Sequence, residues 1–150
     1  MTAVCAQEAA DRARMPIAWL PQTNGFRLRY LVAPSWDSDR EGFAFAHFVG
    51  TGGEVYLDVT SGQAPLLGDA ANISQIVIDG RPVRMDITRM PDDTPVGITF
   101  AWEVGGRPYT LSAMATGLIS ELRVDQAQMV ALYRQIRYVS PSVTAPDGAT

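Results

Sequence analysis

The apolar positions of this chain begin at helical spacing, change to strand spacing, and end at helical spacing again. Residues 3–14 carry helix formers and few β-branched side chains, and Ala6, Ala9, Ala10 and Ala13 recur on one face before Pro16 stops the helix. Ile17-Ala18-Trp19-Leu20, bracketed by Pro16 and Pro21, suits an extended segment lying across a core edge. From Gly25 onward the period is two. Phe26, Leu28, Tyr30 and Val32 alternate with Arg27, Arg29 and Leu31, and Phe43, Phe45, His47 and Val49 alternate with Ala44, Ala46 and Phe48. Val55, Leu57 and Val59 form a third set, Ile76 and Ile78 a fourth, and Val83, Met85 and Ile87 a fifth. Val96, Ile98, Phe100, Trp102 and Val104 follow, and Tyr109, Leu111 and Ala113 close the series. Seven alternating segments predict a sheet with one apolar and one mixed face.

The turns indicate how these strands connect. Gly52-Gly53, Asp79-Gly80 and Gly105-Gly106 each separate two strand-like runs and suit two-residue hairpins that need positive φ. An antiparallel meander follows, not a parallel βαβ sheet. Residues 35–42 and 62–71 form its longer loops. Beyond Met114 the helical period returns. Asp125 caps, Gln128 completes a capping box, Val124 staples onto Met129, and Met129, Leu132, Tyr133 and Ile136 make one apolar face. Arg134 and Arg137 fall in its last turns, where cations suit the helix dipole. The expected fold is therefore α+β: a seven-stranded antiparallel meander with an N-terminal and a C-terminal helix packed on its apolar face. Residues 1–138 make one domain and 139–150 a flexible tail.

Composition narrows the chemistry. The chain has 150 residues, 47% of them hydrophobic and 19% charged, enough for one globular domain with a real core. Its net charge of −4 argues against nucleic acid or an anionic membrane surface as partner. Every basic residue is Arg, so Lys nucleophiles and Schiff bases are excluded. One Cys, Cys5, excludes an internal disulfide and multi-Cys zinc sites. No run approaches the roughly 20 apolar residues of a membrane span, and Met1 to Arg14 is too mixed for a secretory signal.

The candidate sites are few. His47 shares the phase of Phe43, Phe45 and Val49, so it is expected to point inward as a hydrogen-bonded core histidine; a triad would need Ser and Asp placed around it, and Asp58 and Asp86 fall on the opposite phase of their strands. Asp92-Asp93 and Asp37-Ser38-Asp39 lack calcium-loop spacing and read as solvated turns. Gly50-Thr51-Gly52-Gly53 has no helix behind it and reads as hairpin glycine, not a phosphate cradle. No cofactor and no metal is expected. Trp36, in a polar loop, is the one Trp available for contact. The mixed face carries Arg27, Arg29 and Arg84 with Asp58, Asp86 and Glu103; it is either a solvated face or a shallow surface for a peptide or protein. Trp36, Arg27, Arg29 and Arg84 are the candidate binding residues.

Three stretches together resemble a known family. Glu8-Ala9-Ala10 leads to Met15-Pro16-Ile17-Ala18-Trp19-Leu20-Pro21 and Gly25-Phe26-Arg27-Leu28; Phe100 to Ser112 makes a Trp strand, Gly turn and Tyr-x-Leu strand; Leu122–Tyr138 closes as a helix. This order is similar to the extracytoplasmic domain of unknown function in anti-sigma-factor-like and sporulation-associated bacterial proteins, and to the lipoprotein-carrier half-barrel. The resemblance implies a curved half-barrel sheet, no established catalytic residues, and a sensing or binding role. It also implies an extracytoplasmic location if an upstream anchor was removed, and otherwise a cytoplasmic one. The expected function is a non-enzymatic ligand- or protein-binding domain, sensory or regulatory, of an envelope-stress or sigma-factor regulator. The alternative is a carrier of an acyl chain or other apolar small molecule, with Met15, Met85, Met114 and Met129 lining an adaptable cavity between sheet and helices.

Overall fold

The computed structural model describes residues 3–21, 25–34, 42–64, 73–116 and 121–142. Helix α1 (Ala3–Ala13) precedes β1 (Ile17–Trp19), β2 (Phe26–Val32), β3 (Ala44–Gly50) and β4 (Val55–Ser61). Strands β5 (Ile73–Ile78), β6 (Arg81–Arg89), β7 (Pro95–Val104) and β8 (Arg107–Ala115) follow, then α2 (Gln126–Gln135) and β9 (Arg137–Val139). The seven segments read as strands form one antiparallel sheet in the order β2-β3-β4-β8-β7-β6-β5. Its ends do not meet, so it is an open half-barrel. Two meanders, β2-β3-β4 and β5-β6-β7-β8, join where β4 pairs with β8. Strands β1 and β9 make a separate two-stranded sheet.

The turns are those their residues require. Asp79-Gly80 and Gly105-Gly106 have positive φ at both positions, as two-residue hairpins demand. Gly52 and Gly53 also have positive φ, but they lie within a four-residue connection, 51–54, instead of forming the whole turn.

One face of the sheet is the core. Leu57, Val83, Phe100, Leu111 and Ala113 are fully buried there beneath α1, α2 and the β1-β9 pair. The four predicted alanines of α1 are all buried. Tyr133 of α2 sets its ring edge-on to Trp102, with centroids 4.8 Å apart. Polar groups on this face dock β1: Ser61 Oγ accepts from the Ala18 N–H at 2.8 Å, and the Tyr109 hydroxyl donates to the Pro16 carbonyl at 2.8 Å. Trp102 Nε1 donates to the Tyr138 hydroxyl at 2.9 Å and ties down β9. A buried N–H without a partner is expensive, so these bonds select where the small sheet lies.

Several expectations need correction. Ala44, Ala46 and Phe48 face the core on β3, whereas Phe45, His47 and Val49 face away. Both faces of β3 are apolar enough to mislead, and the alanine side is inward because α1 packs there, small residue against small residue. On β2 a register shift between Leu28 and Tyr30 turns Tyr30 and Val32 outward after a buried Leu28. The capping box at Asp125 and Gln128 forms as read, but α2 ends at Gln135, and Arg137 and Tyr138 belong to β9 instead of a last helical turn. The start of the expected tail is held: Val139 lies in β9, Gln7 Nε2 donates to the Ser140 carbonyl, and Ser142 donates to Asp11 from both its backbone N–H and its hydroxyl. Those bonds, the backbone one foremost, keep the Asp11 carboxyl below its ordinary value. The tail's residues 143–150 lie outside the described residues.

Candidate functional site

No described helix or strand packs on the opposite face of the sheet. Cross-strand register places one row of side chains along it: Tyr30 opposite His47, His47 opposite Asp58, Asp58 opposite Ser112, Ser112 opposite Thr99, and Thr99 opposite Asp86. His47 Nδ1 lies 2.5 Å from Asp58 Oδ1. Its ring stacks on Tyr30 at 4.9 Å and 19° and meets Tyr56 at 4.9 Å and 57°. Phe45 joins the group 6.1 Å from Tyr30. His47 is only 9% exposed within this cluster, so its burial is achieved on the wrong face for the core to which its apolar neighbours seemed to assign it.

Histidine, aspartate and serine in one row invite comparison with a hydrolase triad, and the order decides against it. Acyl transfer needs the histidine between the other two, touching the serine with one nitrogen and the carboxylate with the other. Here Asp58 stands between His47 and Ser112, which are two strand spacings apart, about 10 Å. Ser112 Oγ is instead engaged with Thr99 Oγ1. The row orients its members and positions no described nucleophile against the base. The His47–Asp58 pair was legible without a structure, since the two residues lie equally far from Gly52-Gly53 on either side. Only the assumption about which face His47 used concealed it.

Beside this cluster the surface is apolar. Tyr30, Val32 and Phe43 are 44%, 43% and 41% exposed, and Val32 sits directly across from Phe45. Arg27 and Arg29, two of the predicted binding residues, are exposed on β2 at the edge of the same patch. Arg84 is exposed too, but on β6, five strand spacings or roughly 24 Å from β2. The structure therefore groups Arg27 and Arg29 and leaves Arg84 apart. Trp36 lies outside the described residues. Sequence reading missed Tyr30, Val32, Phe43 and Phe45 as surface residues because their hydrophobicity assigned them inward.

The remaining candidates fall into place. Asp92 and Asp93 form the β6-β7 turn, where Asp92 Oδ1 accepts from the Thr94 N–H; that bonding to Thr94 holds the Asp92 carboxyl below its ordinary value. Gly50 faces Phe26, and a Cβ there would stand 3.2 Å from the ring, so the glycine lets the ring lie close without crowding. Met15, Met85 and Met129 are buried on the core side, but Met114 lies on the other face over Gly97. Among the described residues, no group of three or more His, Cys, Asp or Glu is placed to hold a metal ion, and no helix is long and apolar enough to cross a membrane. No family model, no curated protein and no solved structure matches the chain.

Proposed function

We propose that this chain is a non-catalytic binding domain that receives a protein or peptide on the β2-β3 end of its uncovered sheet face. The observation that carries this reading is the exposed group Tyr30, Val32 and Phe43 beside Phe45, bordered by Arg27 and Arg29. Contiguous apolar surface rimmed by polar side chains is where proteins meet partners, with aromatic and Arg residues supplying most of the affinity. The two arginines favour a partner with acidic residues flanking an apolar anchor. A sensing or regulatory role accords with the sequence resemblance to the extracytoplasmic domain of anti-sigma-factor-like proteins. The carrier reading has less support. A ligand-sized void between sheet and helices would leave accessible surface on the residues lining it, and Phe48, Leu57, Phe100, Leu111 and Met129 have none.

A phage-displayed random peptide library panned on the whole protein tests the proposal. Enriched peptides are expected to combine apolar with acidic residues and to bind the double variant Arg29→Glu/Tyr30→Ala at least about tenfold more weakly, as the loss of one aromatic and one charged contact implies. Enriched peptides that bind the variant as well as the parent would overturn it. So would hydrolysis of the peptides that His47→Gln abolishes.

A further inference from the structure

On the helix side of the molecule, at the rim where the β5-β6 turn meets α2 and β9, a solvent-open cleft of about 530 Å³ is lined by Arg81, Tyr133 and Tyr138. Arg81 Nη1 donates to both tyrosine hydroxyls, each at 3.4 Å. The nearby carboxylate is already engaged: Asp79 receives Arg134 through two bonds of 3.1 Å, Nε to Oδ2 and Nη2 to Oδ1. Arg81 consequently has hydroxyl oxygens and no carboxylate as its partners among the described residues.

Hydrogen-bond accounting shows what the cleft lacks. The Tyr138 oxygen has two lone pairs, and two donors already point at it: Trp102 Nε1–H at 2.9 Å and Arg81. Its own proton must therefore be given outward. The Tyr133 oxygen accepts from Arg81 and likewise retains a proton to give, while the guanidinium has five N–H groups and directs one nitrogen at the two hydroxyls. Two O–H donors and a guanidinium thus meet in one cleft, and among the described residues no carboxylate is bonded to any of the three.

We infer that this cleft binds a small organic carboxylate, with the anion received by Arg81 and the hydroxyls of Tyr133 and Tyr138. A planar, two-oxygen monoanion suits a guanidinium flanked by hydroxyl donors and balances its single charge. Glu103 on the cleft wall opposes anions in proportion to their charge, so it weighs more heavily against a dianion such as phosphate than against a monocarboxylate. Ile78, Pro82 and Ile136 give an apolar wall for a hydrocarbon body. This site is distinct from the sheet surface proposed for a protein partner, and either can fail without the other.

The test is titration of the full chain with 3-phenylpropionate, 3-phenylpropionamide and inorganic phosphate, read at the indole N–H resonance of Trp102, whose hydrogen bond to Tyr138 couples it to the cleft. A saturable shift is expected with the carboxylate and not with the amide or phosphate. Tyr133→Phe keeps the ring against Trp102, leaves the Trp102–Tyr138 bond in place and removes only a cleft hydroxyl, and it should weaken binding roughly tenfold; Arg81→Gln should weaken it at least as much. The inference is overturned by no saturable shift with 3-phenylpropionate at about 50 mM (an affinity too weak for a charge-assisted site). It is equally overturned if amide or phosphate binds as tightly, or if both variants bind as the parent does.

Discussion

Single side chains decide where the small sheet docks. Ser61 is the polar residue on the core side of β4, and it is 1% exposed because its hydroxyl serves the Ala18 N–H. Ser61→Ala would leave that N–H without its partner, at a cost of roughly 1–3 kcal/mol. Denaturant unfolding should show the loss as a lower midpoint at unchanged slope. An unchanged midpoint would mean that β1 is positioned by apolar packing alone. At the same scale, His47 shows why residue type misleads. An imidazole among Phe and Val looks like core, yet the carboxylate of Asp58 and the rings of Tyr30 and Tyr56 form its surroundings on the other face.

At the scale of elements, α2 shows local and tertiary forces acting together. Its start is set by the reciprocal bonds of Asp125 and Gln128, each near 2.9 Å, which satisfy end N–H groups that no intrahelical carbonyl can reach. Asp125→Ala should cost about 1 kcal/mol. Removing the chain from Asp125 onward is a far larger change, since it uncovers Phe100 and Trp102, against which Tyr133 packs. Large side chains contribute roughly 1.5–3 kcal/mol each when buried, against about 5–15 kcal/mol for a whole domain. The point substitution should thus melt cooperatively at a slightly lower temperature, and the truncated chain should show no cooperative transition by calorimetry. Cooperative melting of the truncated chain near the parent temperature would show that α2 is not needed to close the core. The end of α2 is a different matter. The apolar helical spacing runs on to Ile136, but Ile136, Tyr138 and Val139 favour a strand, Tyr138 is claimed by Trp102 and Tyr109, and pairing with β1 takes Arg137 to Val139 into a strand.

Across the whole molecule, tyrosines on the core side link folding to alkaline pH. Burial raises the pKa of Tyr109 and of Tyr133, with Arg107 and Arg81 respectively acting in the opposite direction. The folded chain then retains protons that the unfolded chain gives up above the ordinary tyrosine value of about 10. Their contribution is complete below that pH and is lost as pH rises through the raised folded values. Urea midpoints should hold steady approaching pH 10 and fall beyond it, and Tyr109→Phe should make the fall shallower. A midpoint independent of pH in that window would show that these hydroxyls ionise freely in the folded state.

Much of this architecture was readable from the chain itself, for a local reason. A tight turn pairs residues equally distant from its centre, so Asp79-Gly80 and Gly105-Gly106 set the registers of β5-β6 and β7-β8, and Gly52-Gly53 sets that of β3-β4. The alternation of Val55 to Val59, Val83 to Ile87 and Ile98 to Trp102 likewise named the buried side correctly, because each opposite face carries charged, hydroxyl-bearing or small residues. Tertiary structure decided what no local rule reaches. The β4-β8 pairing joins segments separated in the chain by three other strands, and turn geometry says nothing about it. The inward side of β3 depended on a helix needing small residues beneath it, and the outward turn of Tyr30 on a bulge with no sequence mark. The candidate surface lies at those two places. A strand apolar on both faces carries no orientation of its own, and only the element that packs against it chooses which side is left for a partner.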